Sequence, residues 1–303
     1  MTPGQKLKAA LKAEKPLHLL GILNPYMGMQ VQAAGFKAAY VSGAGLSYFN
    51  YGVPDVGVVA LEEVCYEAKK ITRIVDIPIL VDADTGWDDA QKTVEAFIAS
   101  GIAGLHLEDQ TEDKRCGHLD GKSIVGTEEM CARIRAAVKG KTSGKVRDAD
   151  FMVMARTDAF ALEGMNGTIS RMQAYVEAGA DAIFAEAMTD LKHYDQIRAA
   201  LGPNVPLLAN MTEFGKTELY TRDQLAKHGV DMMLSPVTLA RSMHGGVFDW
   251  LGDIRTKGST QQLVDGGQLK PRSRYSDLLD YDPKTDNRDT ILARLNARLS
   301  EKD

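Results

Sequence analysis

Four segments of this chain repeat one pattern, in which a helix-like stretch closes on a glycine and runs at once into a short apolar segment. They are Ala34-Gly35-Phe36 leading to Tyr40-Val41-Ser42, Ser100-Gly101-Ile102 leading to His106-Leu107-Glu108, Ala178-Gly179-Ala180 leading to Phe184-Ala185-Glu186, and His228-Gly229-Val230 leading to Leu234-Ser235. Glycine just past a helix end adopts the left-handed conformation that turns the chain into the next element. Between these segments lie four more apolar runs, Leu17 to Leu23, Pro78 to Asp82, Phe151 to Ala155 and Val205 to Ala209. Stretches of helical periodicity, such as Leu61 to Ile74, Thr127 to Val138 and Ile169 to Val176, separate most of the runs. Continuous apolar strands alternating with helices are the mark of parallel strands covered by helices. Eight of them predict an α/β fold, a (β/α)8 barrel with a C-terminal helical extension, for which 303 residues suffice. A doubly wound open sheet is the competing architecture, but no GxGxxG follows the first strand. The whole chain, 1–303, reads as one barrel domain, with about 237–303 supplying the last barrel helix and the extension. Within it, Ile291, Leu292, Leu295 and Leu299 form an apolar stripe on a final helix after a polar Asp282 to Arg288 linker.

A barrel of this kind carries its chemistry at the C-terminal ends of its strands. In chain order those ends read Asn24, Ser42-Gly43-Ala44-Gly45, Asp82-Ala83-Asp84, Glu108-Asp109, Arg156-Thr157-Asp158, Glu186, Asn210-Met211-Thr212 and Ser235-Pro236. So many polar termini favour an active site over an inert scaffold. Directly after Glu108-Asp109, the stretch Lys114-Arg115-Cys116-Gly117-His118 sets one cysteine among two cations and a histidine. Such neighbours lower a thiol pKa of about 8.5 by one to several units, so Cys116 reads as a reactive thiol on a polar, glycine-rich loop. The alternative is a surface loop with an incidental cysteine.

Asp82 and Asp84 alternate on a strand and therefore point to the same side. Two carboxylates this close repel unless a cation neutralises them. Oxygen donors without a neighbouring His or Cys ligand favour Mg2+ or Mn2+ over zinc. Glu108 and Glu186 are placed to complete the ion's surroundings through water; a pair of solvated loop acids is the plainer reading of Asp82 and Asp84. Arg156 offers a planar two-pronged donor for a substrate carboxylate, or else an internal ion pair with Asp158 or Glu186. A thiol acid, a magnesium-type acid pair and an arginine suit the cleavage or formation of a carbon–carbon bond in an α-hydroxy or α-keto acid. The metal and Arg156 would stabilise the oxyanion while the thiol moves the carbanion's proton.

The bulk numbers exclude other classes. A net charge of -5 and spread-out Lys and Arg leave no footprint for nucleic acid. No apolar run approaches the length of a membrane span. Met1 to Pro16 is lysine-rich without a leader's apolar region. Three cysteines, Cys65, Cys116 and Cys131, odd in number and without CxxC spacing, suit a reducing compartment. The expectation is a cytoplasmic enzyme for a small carboxylic acid, with neither nucleic acid nor membrane as partner.

With these residues in view, the chain resembles the isocitrate lyase and phosphoenolpyruvate mutase superfamily, from about Gly21 to Phe214. Lys114 to His118 matches the loop of its carbon–carbon lyase branch. The stretches Leu80-Val81-Asp82-Ala83-Asp84, Met154-Ala155-Arg156-Thr157-Asp158-Ala159 and Leu208-Ala209-Asn210-Met211-Thr212-Glu213-Phe214-Gly215 look like the methylisocitrate lyase pattern. The resemblance implies a Mg2+-dependent lyase that cleaves 2-methylisocitrate to pyruvate and succinate in the methylcitrate cycle of propionate catabolism. It implies Asp82 and Asp84 as metal ligands, and Ser42, Gly43 and Ala44 around the keto-acid half with Tyr40 and Asp55 close by. Cys116 would protonate the succinate carbanion, with Gly117 giving a backbone contact, and Cys116, Arg156, His118 and Glu108 would make the catalytic set. Arg156, Glu186, Asn210, Met211, Thr212 and Arg241 would bind substrate, joined by an arginine of the C-terminal region assigned to Arg272. Members of the superfamily exchange a C-terminal helix between barrels, which implies a homotetramer.

Departures from the pattern are Ala44 where the family has glycine, Ala185 where it has proline, Ser235 where it has tyrosine, and the stretch Asn24-Pro25-Tyr26-Met27. These leave other substrates open, among them 2,3-dimethylmalate, which would give pyruvate with propionate, and isocitrate. A non-catalytic dicarboxylate-binding barrel is the reading from another class.

Overall fold

The computed structural model describes residues 1–111 and 121–300. They divide into two compact units, Met1–Thr238 and Leu239–Asp303. The first is a closed barrel of eight parallel strands in sequence order: β1 Leu17–Gly21, β2 Ala39–Val41, β3 Ile79–Asp82, β4 Gly104–Glu108, β5 Met152–Thr157, β6 Ala182–Ala185, β7 Leu207–Asn210 and β8 Met232–Ser235. β1 closes on β8 through the register Leu17↔Met232 to Leu20↔Ser235. Each strand begins in one of the apolar runs read from the sequence, and β5 and β7 continue two and one residues past theirs.

Two kinds of lead-in alternate around the barrel. The even strands follow Gly35, Gly101, Gly179 and Gly229, all in the left-handed region with φ of +92°, +75°, +106° and +72°. A residue with a Cβ is strained there, so these turns specify glycine. Three of the odd strands are instead preceded directly by proline: Pro16, Pro78 and Pro206. Proline has no N–H to give to the ladder, but its carbonyl still accepts. The Pro78 carbonyl takes the Ala39 amide at 3.1 Å and the Pro206 carbonyl takes Ile183 at 2.9 Å. β5 is the exception, entered through Asp150-Phe151.

One end of the barrel is sealed by a helix the sequence reading did not foresee, Pro3–Ala13. Thr2 caps it, accepting from the Gln5 amide at 3.2 Å while Gln5 returns a bond to the Thr2 amide. Leu7, Ala10 and Leu11 join Leu17, Leu80, Met152, Ala182, Leu208 and Met232 in one buried cluster. Burying the two leucines stabilises the fold by about 1.5–3 kcal/mol each. Asp148, ahead of β5, fixes the helix start by accepting from the Thr2 hydroxyl and the Gly4 amide, both at 2.8 Å. With one end filled by aliphatic side chains, the polar strand termini gather at the other.

The helix expected over Ile169 to Val176 is part of a longer one, Phe160–Glu177, broken at Gly164 (φ +65°, ψ −174°). The glycines Gly164 and Gly167 interrupt the periodicity and hide its first turns from the sequence. In the second unit the chain forms helices Gln261–Asp265, Arg272–Leu278 and Arg288–Ser300, after the helix Thr238–Lys257 whose first residue belongs to the barrel unit. Asn287 caps the last helix through the amides of Asp289 and Thr290. Leu292 and Leu295 of the apolar stripe are exposed in the single chain, as are Met243, Phe248 and Leu251. No helix among the described residues is long and apolar enough to cross a membrane.

Candidate active site

Strand alternation decides which side chains enter the barrel. Leu80, Met154, Phe184 and Leu208 belong to the buried interior cluster. Residues two further on therefore point the same way: Asp82, Arg156, Glu186 and Asn210. His106 lies inside too, its ring 5.1 Å from Phe184 edge-on and 5.7 Å from Tyr40 in a stack, so Glu108 follows it. Acids, an arginine and an amide thus converge above an aromatic floor of Tyr40, His106 and Phe184.

Asp82 is fixed by donors from three directions. Its Oδ2 accepts the Gly43 amide at 3.1 Å and the Tyr40 hydroxyl at 3.2 Å, and its Oδ1 accepts the Asp84 amide at 3.2 Å. The His106 Nε2 stands 3.6 Å from Oδ1 and 2.8 Å from the Tyr40 hydroxyl oxygen. Burial, and after it the charge of Asp82, pushes the Tyr40 phenol well above its ordinary range, so it stays protonated as a donor. Glycine at 43 leaves room for this approach: a Cβ would stand 2.9 Å from the Asp82 Oδ2 and push it aside. Ser42 shapes this approach by capping the short helix Gly43–Gly45, accepting from the Gly45 amide at 3.0 Å. Asp84 follows at φ +47° in the corner closed by the Gly86 amide on the Ala83 carbonyl.

Among the described residues no trio of His, Cys, Asp or Glu is gathered as a closed metal cage. Mg2+ needs none, since it is usually held by one or two carboxylates and keeps water on its other positions. The pre-oriented oxygens of Asp82 fit that ion. Asp84, expected to share its side by strand alternation, lies instead two residues past the end of β3 in the left-handed region, so alternation does not orient it.

Arg156 lies among three acids. Its Nε donates to Asp158 Oδ2 at 2.9 Å and its Nη2 to Asp158 Oδ1 at 3.2 Å. Glu108 is 3.3 Å from Nη1 and Glu186 is 3.6 Å from Nε. The internal pair left open by the sequence is therefore present, with both named partners. Burial opposes the guanidinium charge, but Asp158, Glu108 and Glu186 outweigh it, so Arg156 stays a cation. Its carbon lies 5.2 Å over the Phe184 ring, which fixes the plane of the fork. Asn210 reaches Glu186 at 3.4 Å, and Thr212 lies buried just beyond it. Met211 is buried, its amide donating to the Leu234 carbonyl at 2.7 Å. Ala44 is half-buried in the first turn after Ser42, and Asp55 is half-buried in the loop before Leu61.

Cys116, Gly117 and His118 lie outside the described residues. The chain on either side of them is held: Gln110 bridges Ile124 antiparallel, and the Val125 amide donates to the Asp109 carbonyl at 2.8 Å. Arg241 lies on Thr238–Lys257 and Arg272 at the start of Arg272–Leu278, both exposed within the second unit.

The sequence reading missed His106, although its spacing from Glu108 placed it on the same face. It also missed a network behind the strands. Asp109 is fully buried and accepts from the Thr157 hydroxyl at 2.7 Å, the Tyr175 hydroxyl at 2.8 Å and the Asp158 amide at 2.9 Å. Arg171 stands 3.6 Å away. Burial raises the Asp109 carboxyl's affinity for its proton, and these donors oppose that.

A family model described as phosphoenolpyruvate phosphomutase matches residues 7–253. The chain is 40% identical to the 2-methylisocitrate lyase of Vibrio cholerae over 301 residues, covering 97% of this chain and 96% of that one. It is 41% identical to the 2-methylisocitrate lyase of Escherichia coli, covering 97% of both. Among solved structures it is similar to 2,3-dimethylmalate lyase, described as a phosphoenolpyruvate mutase/isocitrate lyase superfamily member, with 30% identity, a TM-score of 0.79 and 86% of each chain covered.

Proposed function

This chain belongs to the phosphoenolpyruvate mutase and isocitrate lyase superfamily, and from that premise we propose that it is a Mg2+-dependent carbon–carbon lyase cleaving 2-methylisocitrate to pyruvate and succinate. One observation carries the proposal: Arg156 and the oriented Asp82 share the polar end of a barrel whose whole length aligns with 2-methylisocitrate lyases. Similarity to 2,3-dimethylmalate lyase is lower, at 30%, which sets that substrate second.

The chemistry assigns work to each group. Arg156, held by its Nε and Nη2 on Asp158, has donor capacity left on its outer nitrogens for a substrate carboxylate or the oxygen on which charge develops. As Glu108 takes the hydroxyl proton, the carbon–carbon bond breaks, its electron pair stays on succinate and pyruvate's carbonyl forms. Cys116 then gives its proton to that carbon. Mg2+ bound by Asp82 and Asp84 would supply Lewis-acid stabilisation of the developing negative oxygen. The keto-acid half would lie against Ser42, Gly43 and Ala44. An enzyme with this reaction would serve propionate catabolism, and the proposed location is the cytoplasm.

The test is a parallel assay with Mg2+ on 2-methylisocitrate, 2,3-dimethylmalate and isocitrate. Pyruvate and succinate in equal amounts from the first, at the highest kcat/KM, is the expected result. A higher kcat/KM for 2,3-dimethylmalate, with propionate formed, would replace the substrate. No turnover of any of the three would remove the function.

The quaternary proposal is a homotetramer. Support comes from the exposed apolar side chains of Met243, Phe248, Leu251, Leu292 and Leu295 in the second unit, since faces of this kind mark association surfaces. Light scattering should give about four times the 33.0 kDa chain mass. A monomer mass refutes it.

A further inference from the structure

Lys122 has no part in the chemistry so far, yet it is placed as a buried charge. Its side chain is 4% exposed, and its Nζ lies 3.0 Å from Asp158 Oδ1, on a carboxylate that is 0% exposed. The same Oδ1 receives Nη2 of Arg156 at 3.2 Å, so two cations share one oxygen. The main chain that carries Asp158 is fixed, because its amide is tied to Asp109 at 2.9 Å and Asp109 is itself held by Thr157 and Tyr175. Lys122 is held from its own side, two residues before the Ile124 bridge to Gln110 and directly after Gly121 at φ +77°.

A buried ammonium at this point costs desolvation that a surface lysine avoids, and its partner already has an arginine. What it changes is the charge balance around Arg156. Without Lys122, one guanidinium faces three carboxylates, those of Asp158, Glu108 and Glu186. With it, one of the three, Asp158, carries a second cation at 3.0 Å. Lys122 also competes for Oδ1, which loosens the grip of Asp158 on the Nη2 edge of Arg156. An anionic substrate approaching Arg156 meets less repulsion and a guanidinium with an N–H to give.

We infer that Lys122 is a positioning residue which, through the shared Asp158 carboxylate, keeps Arg156 available to a carboxylate of the substrate. The inference rests on the proposed lyase reading for the identity of that acid, but its charge argument applies to any carboxylate ligand of Arg156.

The test compares wild type with Lys122→Met, Lys122→Gln and Lys122→Arg, reading kcat and KM separately together with succinate affinity by calorimetry and the folded fraction by circular dichroism. Lys122→Gln keeps a polar head in the buried position, so it decides the matter should the Met variant not fold. The expected result is a KM and a succinate Kd raised at least about tenfold in the Met and Gln variants, with kcat changed about threefold or less and Lys122→Arg close to wild type. A kcat that falls with the folded fraction while KM and Kd stay at wild-type values would mean a purely structural lysine and overturns the inference. Equal losses in Lys122→Gln and Lys122→Arg overturn it as well, since charge would then have no role. Wild type that turns over none of the three acids refutes the proposed function instead. The Lys122 inference is then decided by succinate binding alone, and wild type that does not bind succinate overturns it too.

Discussion

Cys116→Ser is expected to lower kcat at least about 10²-fold while the protein still binds substrate, the scale of losing a positioned proton donor. A serine hydroxyl keeps the size and the hydrogen-bonding capacity but is far too weak an acid to deliver its proton to a carbanion at neutral pH. The other two cysteines give the controls. Cys131 is 4% exposed and its thiol donates to the Ala174 carbonyl at 3.6 Å; Cys65 is half-buried on the helix Leu61–Thr72. Burial pushes both thiols up, away from the thiolate. Replacing either with alanine should cost about 1 kcal/mol or less of stability and leave kcat near wild type. Equal loss of activity from all three substitutions would remove Cys116 from the mechanism.

Chelation should abolish turnover completely, and Mg2+ or Mn2+ should restore it where Zn2+ does not. Independent of activity, calorimetry should detect Mg2+ binding to the wild type and lose it in Asp82→Asn. Gly43→Ala should weaken that binding as well, because the added methyl displaces the Asp82 oxygen that the Gly43 amide holds. Full activity in excess chelator ends the metal proposal.

The fold was legible because its grammar is local. An apolar run can be read without knowing what it touches, and it marks all eight strands, four of them announced by a glycine past a helix end. The sealing helix at the N-terminus was readable by the same means: Thr2-Pro3 with Gln5 is a capping box, and Leu7, Ala10 and Leu11 share one face. Its three lysines mask that face from a reading for apolar runs. The site divides in the same way. Asp82, Glu108, Arg156 and Glu186 stand at strand ends, where position alone names them. Lys122 and Arg171 take their meaning from acids 36 and 62 positions away, Asp158 and Asp109. Nothing in their neighbours distinguishes them from surface cations, because burial and distant pairing are properties of the closed barrel.

The alternation of glycine and proline lead-ins has a consequence for recombination. The smallest element that repeats is a pair of strands with their helices, a quarter of the barrel, because three of the four pairs contain one lead-in of each kind. Interior side chains of a (β/α)8 barrel stack in layers drawn alternately from odd and even strands, so parity is a physical property of each strand. A chimaera joined just before Pro78 or Pro206 would exchange whole quarters and preserve that parity. Moving a single strand with its helix to a position of the other parity would bring a left-handed turn to a place built for a rigid one, and would set its interior side chains in the wrong layer. Homologous barrels should therefore shuffle in twos.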